Sequence, residues 1–146
     1  MEHTEETCAR AFTALADAHA RVSEALGAAL AASCGLTVND FEVLVRLSAA
    51  PPPGLRLKDL APAVRLTQPS LSRLVARLES GGLVARSGAP DDRRGVLITL
   101  TPAGRAALEE AVPIQTRIVR ELLLDRLTPE EQDLLARALT RIGERR

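Results

Sequence analysis

One stretch limits the fold of this chain more than any other. Two short β-prone runs, 83–86 and 96–100, flank a polar, charged segment at 88–95 that is rich in Gly, Asp and Arg. Such runs around a turn-rich segment predict a β-hairpin with an exposed tip. Aromatic residues are nearly absent, with two Phe and neither Trp nor Tyr, so Leu, Val and Ala must build the core. Because Ala favours helix, we expect a mostly α protein with one small β-hairpin.

Helical patterns lie on both sides of this hairpin. Residues 5–33 contain no Pro and one Gly, which predicts a single long helix that ends near residues 34–35. Thr37 or Asn39 is expected to cap a second helix, which the proline run 51–53 ends. The remaining helices are expected after similar start signals, at 57–66, 68–80, 102–125 with a kink at Pro113, and from 129 onward.

Charge is distributed unevenly along the chain. The 19 basic and 19 acidic residues cancel overall. Residues 55–100, however, hold eight basic and four acidic side chains, a net charge of +4, and the rest of the chain carries −4. A basic segment between neutral or acidic arms is typical of a localised surface that binds a polyanion.

The predicted helix 68–80 has one apolar and one polar face. At about 100° per residue, its Leu and Val side chains fall in one sector and predict the inward face. The opposite face carries small, polar and basic residues, which suit entry into the major groove of DNA. An amphipathic helix with a solvated face has the same pattern, so other features must decide between the two. The residues predicted to contact DNA here are Lys58, Thr67, Gln68, Pro69, Ser70, Ser72, Arg73 and Arg77.

The predicted tip of the hairpin adds two further arginines, Arg93 and Arg94. An arginine on a narrow ribbon suits the minor groove, where negative potential is concentrated. Asp92 is expected to orient one of the guanidinium groups. The alternative is a surface turn of mixed charge, but a basic helix and a basic hairpin in one segment together favour DNA binding.

These motifs resemble the MarR family of bacterial regulators. The wing of that family has an Asp, any residue, an Arg, five more residues and then Leu-Thr, and this spacing is met by Asp92, Arg94, Leu100 and Thr101. Residues 66–79 are similar to the family's helix-turn-helix, and Pro62 departs from it by placing a proline in the preceding helix. The resemblance implies a winged helix-turn-helix transcription regulator of double-stranded DNA, by default a repressor.

The resemblance also implies a homodimer joined through the first, fifth and sixth helices. Its expected parts are an N-terminal dimerisation helix (1–35), a DNA-binding domain (36–100) and C-terminal dimerisation helices (101–146). Two-fold symmetry then predicts a pseudo-palindromic operator with half-sites about 34 Å apart. The alternative is that the apolar residues near the end of the chain cover its own core; they are Leu122, Leu123, Leu127, Leu134, Leu135, Leu139 and Ile142.

A small-molecule effector is a further implication, since many relatives release DNA on binding small anionic aromatics between the dimerising helices and the winged module. Arg10, His19 and Arg46 are the candidates for holding a carboxylate, with Phe12 and Phe41 as apolar walls. The alternative for each polar residue is an ordinary solvated side chain.

Redox sensing by cysteine is the alternative to a small-molecule effector as the signal that regulates DNA binding. Cys8 and Cys34 lie 26 residues apart on one predicted helix, which at about 1.5 Å per residue separates them by roughly 39 Å and excludes a disulfide within the chain. The peroxide-sensing branch of the family pairs its cysteine with tyrosines, and this chain has none. We therefore interpret both cysteines as structural or incidental, and the alternatives are a disulfide between two chains or a sulfenic acid.

Other classes of function are disfavoured. With only His3 and His19, and no glycine-rich phosphate loop after a strand, the sequence predicts no enzyme, catalytic residue, metal or cofactor. An acidic start and the lack of a long apolar run predict a cytoplasmic protein without a membrane partner. The remaining alternative is a winged-helix module that binds proteins instead of DNA, against which the four arginines of the helix and hairpin argue.

Overall fold

The structure is a computed structural model that describes residues 1–88 and 95–145. In these residues helices predominate around one small antiparallel sheet, so the predicted mostly α fold with a β-hairpin is confirmed. The helices are α1 (Glu2–Cys34), α2 (Val38–Ala49), α3 (Leu57–Ala63), α4 (Gln68–Ser80), α5 (Pro102–Leu122) and α6 (Pro129–Gly143). The strands are β1 (Leu55–Arg56), β2 (Val84–Ser87) and β3 (Leu97–Leu100).

Threonine caps begin four of these helices. In each, the hydroxyl oxygen accepts a hydrogen bond from the backbone N–H three residues later, which satisfies a donor that the first turn leaves free. The caps are Thr37, Thr67, Thr101 and Thr128, with donor–acceptor distances of 3.0, 3.2, 3.0 and 3.2 Å. The structure thus selects Thr37 over Asn39 as the cap of α2 and confirms the predicted starts of α4, α5 and α6.

The sheet places β3 between β1 and β2, with both pairs antiparallel. Strands β2 and β3 form the predicted hairpin. Strand β1 was not predicted, because two residues after a proline run are too few to show an alternating pattern. Helix α3 ends at Ala63, so Pro62 lies in its last turn, and Arg65 follows with a positive φ of 58°.

Helix α5 differs from its prediction at the C-terminal end. The sequence predicts that α5 reaches about residue 125, but it ends at Leu122, and a short 3-10 turn covers Leu124–Arg126. The helix is continuous through Pro113.

One apolar core is shared by α4 and the two long helices, α1 and α5. Helix α4 contributes its predicted inward face, and α1 and α5 contribute residues from the parts that pack against each other. The buried core residues of these three helices are Leu26, Leu30, Leu71, Leu74, Val75, Leu78, Leu108 and Ala111. By contrast, residues 2–21 of α1 are exposed, and no residue of α6 is buried within the described chain.

Over the described ranges, no single helix has both the length and the apolar content to cross a membrane. Helices α1 and α2 reach that length and composition only when counted together, and they are bent by 79° to each other.

Candidate nucleic-acid interface

A tight turn connects α3 to α4 and sets the direction of α4. The N–H of Leu66 donates to the carbonyl of Ala61 at 3.0 Å, and Arg65 adopts the left-handed conformation between them. Non-glycine residues adopt this conformation uncommonly. The guanidinium of Arg65 donates to both carboxylate oxygens of Glu42 on α2, at 2.7 and 2.8 Å, so the turn is tied to α2.

The outward face of α4 begins with a short hydrogen-bonded chain of three predicted site residues. The hydroxyl of Thr67 donates to Ser70 Oγ at 3.0 Å, and the guanidinium of Arg73 donates to the same oxygen at 3.4 Å. Thr67 and Arg73 are exposed, and Ser70 is half-buried. The structure therefore brings these three together on one accessible surface.

The other predicted residues of the helix-turn-helix lie around this surface. Gln68 and Pro69 are exposed in the first turn of α4, and Ser72 is half-buried one turn further on. Lys58 is exposed on α3. Contact of these residues with DNA stays a prediction.

Arg77 has a different environment from Arg73, although both lie on α4. Its Nη1 donates to Asp40 Oδ2 at 2.9 Å and its Nη2 donates to Asp40 Oδ1 at 2.7 Å. The Arg77 side chain is 54% exposed, whereas Asp40 is fully buried. The guanidinium of Arg77, which the sequence predicts to contact DNA, thus forms a bidentate ion pair with Asp40.

Asp40 is held in its charged form. Burial raises the pKa of this carboxyl, but the hydrogen bonds from Arg77 and from the Thr37 backbone, together with the charge of Arg77, lower it below its ordinary value. The hydrogen bond to Asp40 in turn raises the pKa of Arg77. Asp40 also accepts from the N–H of Thr37 at 2.9 Å, which completes the capping box of α2.

Arg86 is a structural residue that the sequence reasoning did not single out. It lies on β2, and its Nη2 donates to the carbonyl of Ser72 at 3.5 Å. Its Nε is buried, lies at an ion-pair distance of 3.5 Å from Glu79 Oε1, and has no hydrogen-bond partner among the described residues. Arg86 therefore connects the hairpin to α4, and no local pattern signals a contact between residues so far apart in sequence.

The base of the hairpin is fixed to the start of α5. The hydroxyl of Thr101 donates to the carbonyl of Gly82 at 2.6 Å, and its N–H donates to the carbonyl of Leu83 at 3.1 Å. Gly104 is required here because a Cβ at this position would collide with the carbonyl of Leu83. The predicted tip residues Asp92, Arg93 and Arg94 lie outside the described residues.

The predicted effector residues are not brought together. Phe12 and Arg10 are exposed on α1, His19 is exposed and lies 3.4 Å from Ser23 Oγ, and Arg46 is exposed on α2. Phe41 is only 3% exposed and packs in the core of the single chain, so its role as a pocket wall stays a prediction. An open groove of about 520 Å³ along α1 includes Arg10 but none of the other four.

The two cysteines lie on α1, as predicted. Cys8 is exposed, and Cys34 is half-buried, with its thiol donating to the carbonyl of Leu30 at 3.3 Å. This hydrogen bond within the helix is consistent with a structural role for Cys34.

Apolar side chains are left uncovered at the two ends of the chain. Phe12 of α1 is 75% exposed, and on α6 Leu134 and Ile142 are 59% and 71% exposed. Helix α6 packs sparsely on the rest of the described chain. Exposed apolar patches of this kind are common at surfaces where proteins associate.

A helix-turn-helix that presents a polar, basic helix face, followed by a hairpin fixed to the next helix, defines a winged-helix DNA-binding protein. Comparison with known proteins agrees. A model of the MarR family matches residues 36–96. The HTH-type transcriptional repressor Mb2911 of Mycobacterium bovis is 33% identical over 109 residues, which are 75% of this chain and 76% of that protein.

Two solved structures share nearly the whole fold. Sco3205 from Streptomyces coelicolor, a MarR family transcriptional regulator in complex with DNA, has a TM-score of 0.83 and 32% identity, covering 92% of this chain and 87% of that one. BpsR of Bordetella bronchiseptica, whose DNA binding is regulated by 6-hydroxynicotinic acid, has a TM-score of 0.82 and 30% identity, covering 92% and 99%. The chain belongs to the MarR family of DNA-binding transcriptional regulators.

Proposed function

We propose that this protein is a homodimeric repressor that binds a pseudo-palindromic operator in the cytoplasm. Helix α4 enters the major groove, and the hairpin reaches the neighbouring minor groove with Arg93 and Arg94. The observation that carries the proposal is the outward surface formed by Thr67, Ser70 and Arg73, beside a hairpin braced on both α4 and α5. A helix and a hairpin can enter two neighbouring grooves together when their relative position matches the spacing of those grooves, and the contacts of the hairpin with both helices hold that position.

The dimer is supported by the uncovered apolar stripes. Helix α6 has a regular apolar stripe, yet no described residue of α6 is buried in the single chain. A second copy would cover this stripe and the exposed part of α1, and closed two-fold pairs are the commonest assembly of soluble proteins. The same symmetry would present two α4 helices to successive turns of one face of DNA.

Repression and effector release rest on relatives. The Mycobacterium bovis relative is named a repressor, and BpsR responds to an aromatic acid. We propose the same two properties here without assigning the effector to particular side chains. The test is a reporter gene behind the selected operator, whose expression should fall when the protein is present and recover with 6-hydroxynicotinic acid or a related aromatic acid.

Selection of duplexes from a random-sequence library tests DNA binding directly. The expected consensus is an inverted repeat with half-site centres about 10 base pairs apart. Binding to this duplex should weaken in Arg73→Ala and persist in Arg137→Ala, a control on the exposed surface of α6. Absence of any enriched sequence, combined with a partner protein captured on the same surface, would favour the protein-interaction alternative.

A further inference from the structure

We infer that Asp40 and Arg77 fix the orientation of α4 on α2, so that Arg77 acts in DNA recognition by positioning the helix and not by contacting a phosphate. This inference rests on the proposed DNA-binding function. It gives a positioning role to a residue that the sequence pattern placed among the DNA contacts, and it adds Asp40, which no sequence pattern had indicated.

The geometry of the pair is rigid at both ends. Two guanidinium nitrogens of Arg77 each meet a different carboxylate oxygen of Asp40, at 2.9 and 2.7 Å. Asp40 is itself held by the backbone N–H of Thr37 at 2.9 Å and is fully buried in the first turn of α2. A bidentate pair of this kind has a preferred direction as well as a preferred distance. It therefore restricts rotation of α4 on α2.

Apolar packing restricts α4 less specifically than the ion pair does. The inward residues of α4 are buried in the core, which decides the face that turns inward, but hydrophobic burial has little directional preference of its own. Glu42 lies two residues beyond Asp40 and holds Arg65, in the turn before α4. Helix α2 thus holds the turn through one carboxylate and the second half of α4 through another.

Arg73 is the natural comparison, because it lies one helical turn before Arg77. Within the described residues, its only side-chain hydrogen bond is the 3.4 Å contact with Ser70 on its own helix. Its guanidinium is exposed and has no carboxylate partner in that part of the chain. Arg73 can therefore extend to a phosphate, while extension of Arg77 would leave the buried carboxylate of Asp40 without its partner.

Matched substitutions separate the two roles. Affinity is measured by fluorescence anisotropy over a range of salt concentrations, with the duplex selected by the wild-type protein and an unrelated duplex of equal length. Lysine keeps the charge but loses the two-pronged geometry of arginine. We therefore expect Arg77→Lys, Arg77→Gln and Asp40→Asn each to weaken binding to the selected duplex by about tenfold or more, a loss typical of a displaced base contact.

The salt dependence should differ between the two arginines. Each phosphate contact contributes about 0.9 to the slope of log affinity against log salt concentration. Arg73→Gln should reduce the slope by about 0.9 per protomer on both duplexes, and Arg73→Lys should resemble the wild type. The Arg77 and Asp40 variants should keep the wild-type slope and the wild-type affinity for the unrelated duplex.

Circular dichroism establishes that each variant is folded at the temperature of the binding experiment. The double variant Asp40→Asn/Arg77→Gln removes both charges and avoids a lone buried carboxylate; it should lose no more affinity than either single variant. Arg77→Lys with wild-type affinity, together with a reduced slope for Arg77→Gln, would overturn the inference. Failure of the wild-type protein to bind any duplex would instead contradict the proposed function.

Discussion

Helices α4 and α6 have similar sequence patterns and opposite environments. Both are amphipathic, begin with a threonine cap and have Pro near the first helical position. Helix α4 buries its whole apolar face, whereas no residue of the α6 stripe is fully buried in the described part of the chain. The difference shows that an apolar stripe predicts a packed face but not the partner that covers it. In α4 the partner is the chain's own core, and in α6 we propose that it is a second copy.

The largest expected effect is on the α4 side of this comparison. Leu71→Ala removes a fully buried side chain and should lower the free energy of unfolding by about 2–5 kcal/mol, through lost burial and the cavity left behind. Urea denaturation measures the loss, which should be the same at low and high protein concentration. If the loss in unfolding free energy grew on dilution, Leu71 would belong to the surface where copies associate. The contrast between the apolar faces of α4 and α6 would then not hold.

The corresponding change on α6 should affect association first. Leu134→Asp introduces a charge into a surface that we propose is buried between copies, and should weaken the dimer at least about a hundredfold, since an unpaired buried charge costs several kcal/mol. Analytical ultracentrifugation measures the dissociation constant. Arg137→Ala, on the same helix and highly exposed, should leave it nearly unchanged. A monomeric wild type would refute the proposed role of α6.

The outward face of α4 gives a smaller effect that leaves both folding and association unchanged. Arg73→Ala should weaken binding to the selected and to an unrelated duplex alike and reduce the salt slope by about 0.9 per protomer, as expected for the loss of a phosphate contact. Its unfolding curve and dimer dissociation constant should match those of the wild type, because Arg73 is exposed and its only side-chain hydrogen bond among the described residues is with Ser70 on the same helix. Unchanged DNA affinity would mean that this face of α4 is merely solvated.

The smallest expected effect is a difference in pH dependence. The pKa of Asp40 is lower in the folded protein than its ordinary value, so Asp40 stabilises the fold above the carboxyl pKa of an unfolded chain, about 4. That contribution is lost as the pH falls through the lower pKa of the folded state. Asp40→Asn should remove this part of the acid dependence, as measured by thermal unfolding between neutral and acidic pH. An unchanged dependence would show that Asp40 titrates alike in both states.

Local features of the fold could be predicted from the sequence because their partners are close in the chain. Each threonine cap bonds to a residue three positions later, and the inward face of α4 follows from the period of the helix. The resemblance to the family also includes Thr101, and the structure supplies a reason for this residue in its hydrogen bonds to Gly82 and Leu83.

Features that depend on distant partners could not be predicted. Arg73 and Arg77 are indistinguishable by residue type and helix face, and only the position of Asp40, 37 residues earlier than Arg77, separates them. Phe41, predicted as an apolar pocket wall, is buried in the core through residues that are distant in sequence. The net charge of +4 for residues 55–100 likewise includes Arg65, Arg77 and Arg86. In the fold, each of these three arginines is paired with an acidic side chain.

Thr101 joins the base of the hairpin to the start of α5, so a tilt of α5 also moves the hairpin. At about 1.5 Å per residue, the 21 residues of α5 span roughly 31 Å. Tilting a rod of that length by about 10° moves its far end by roughly 5 Å, which is comparable to the width of the minor groove. In the proposed dimer, small angular changes where the copies meet would therefore shift the wings by as much as the width of the groove they enter.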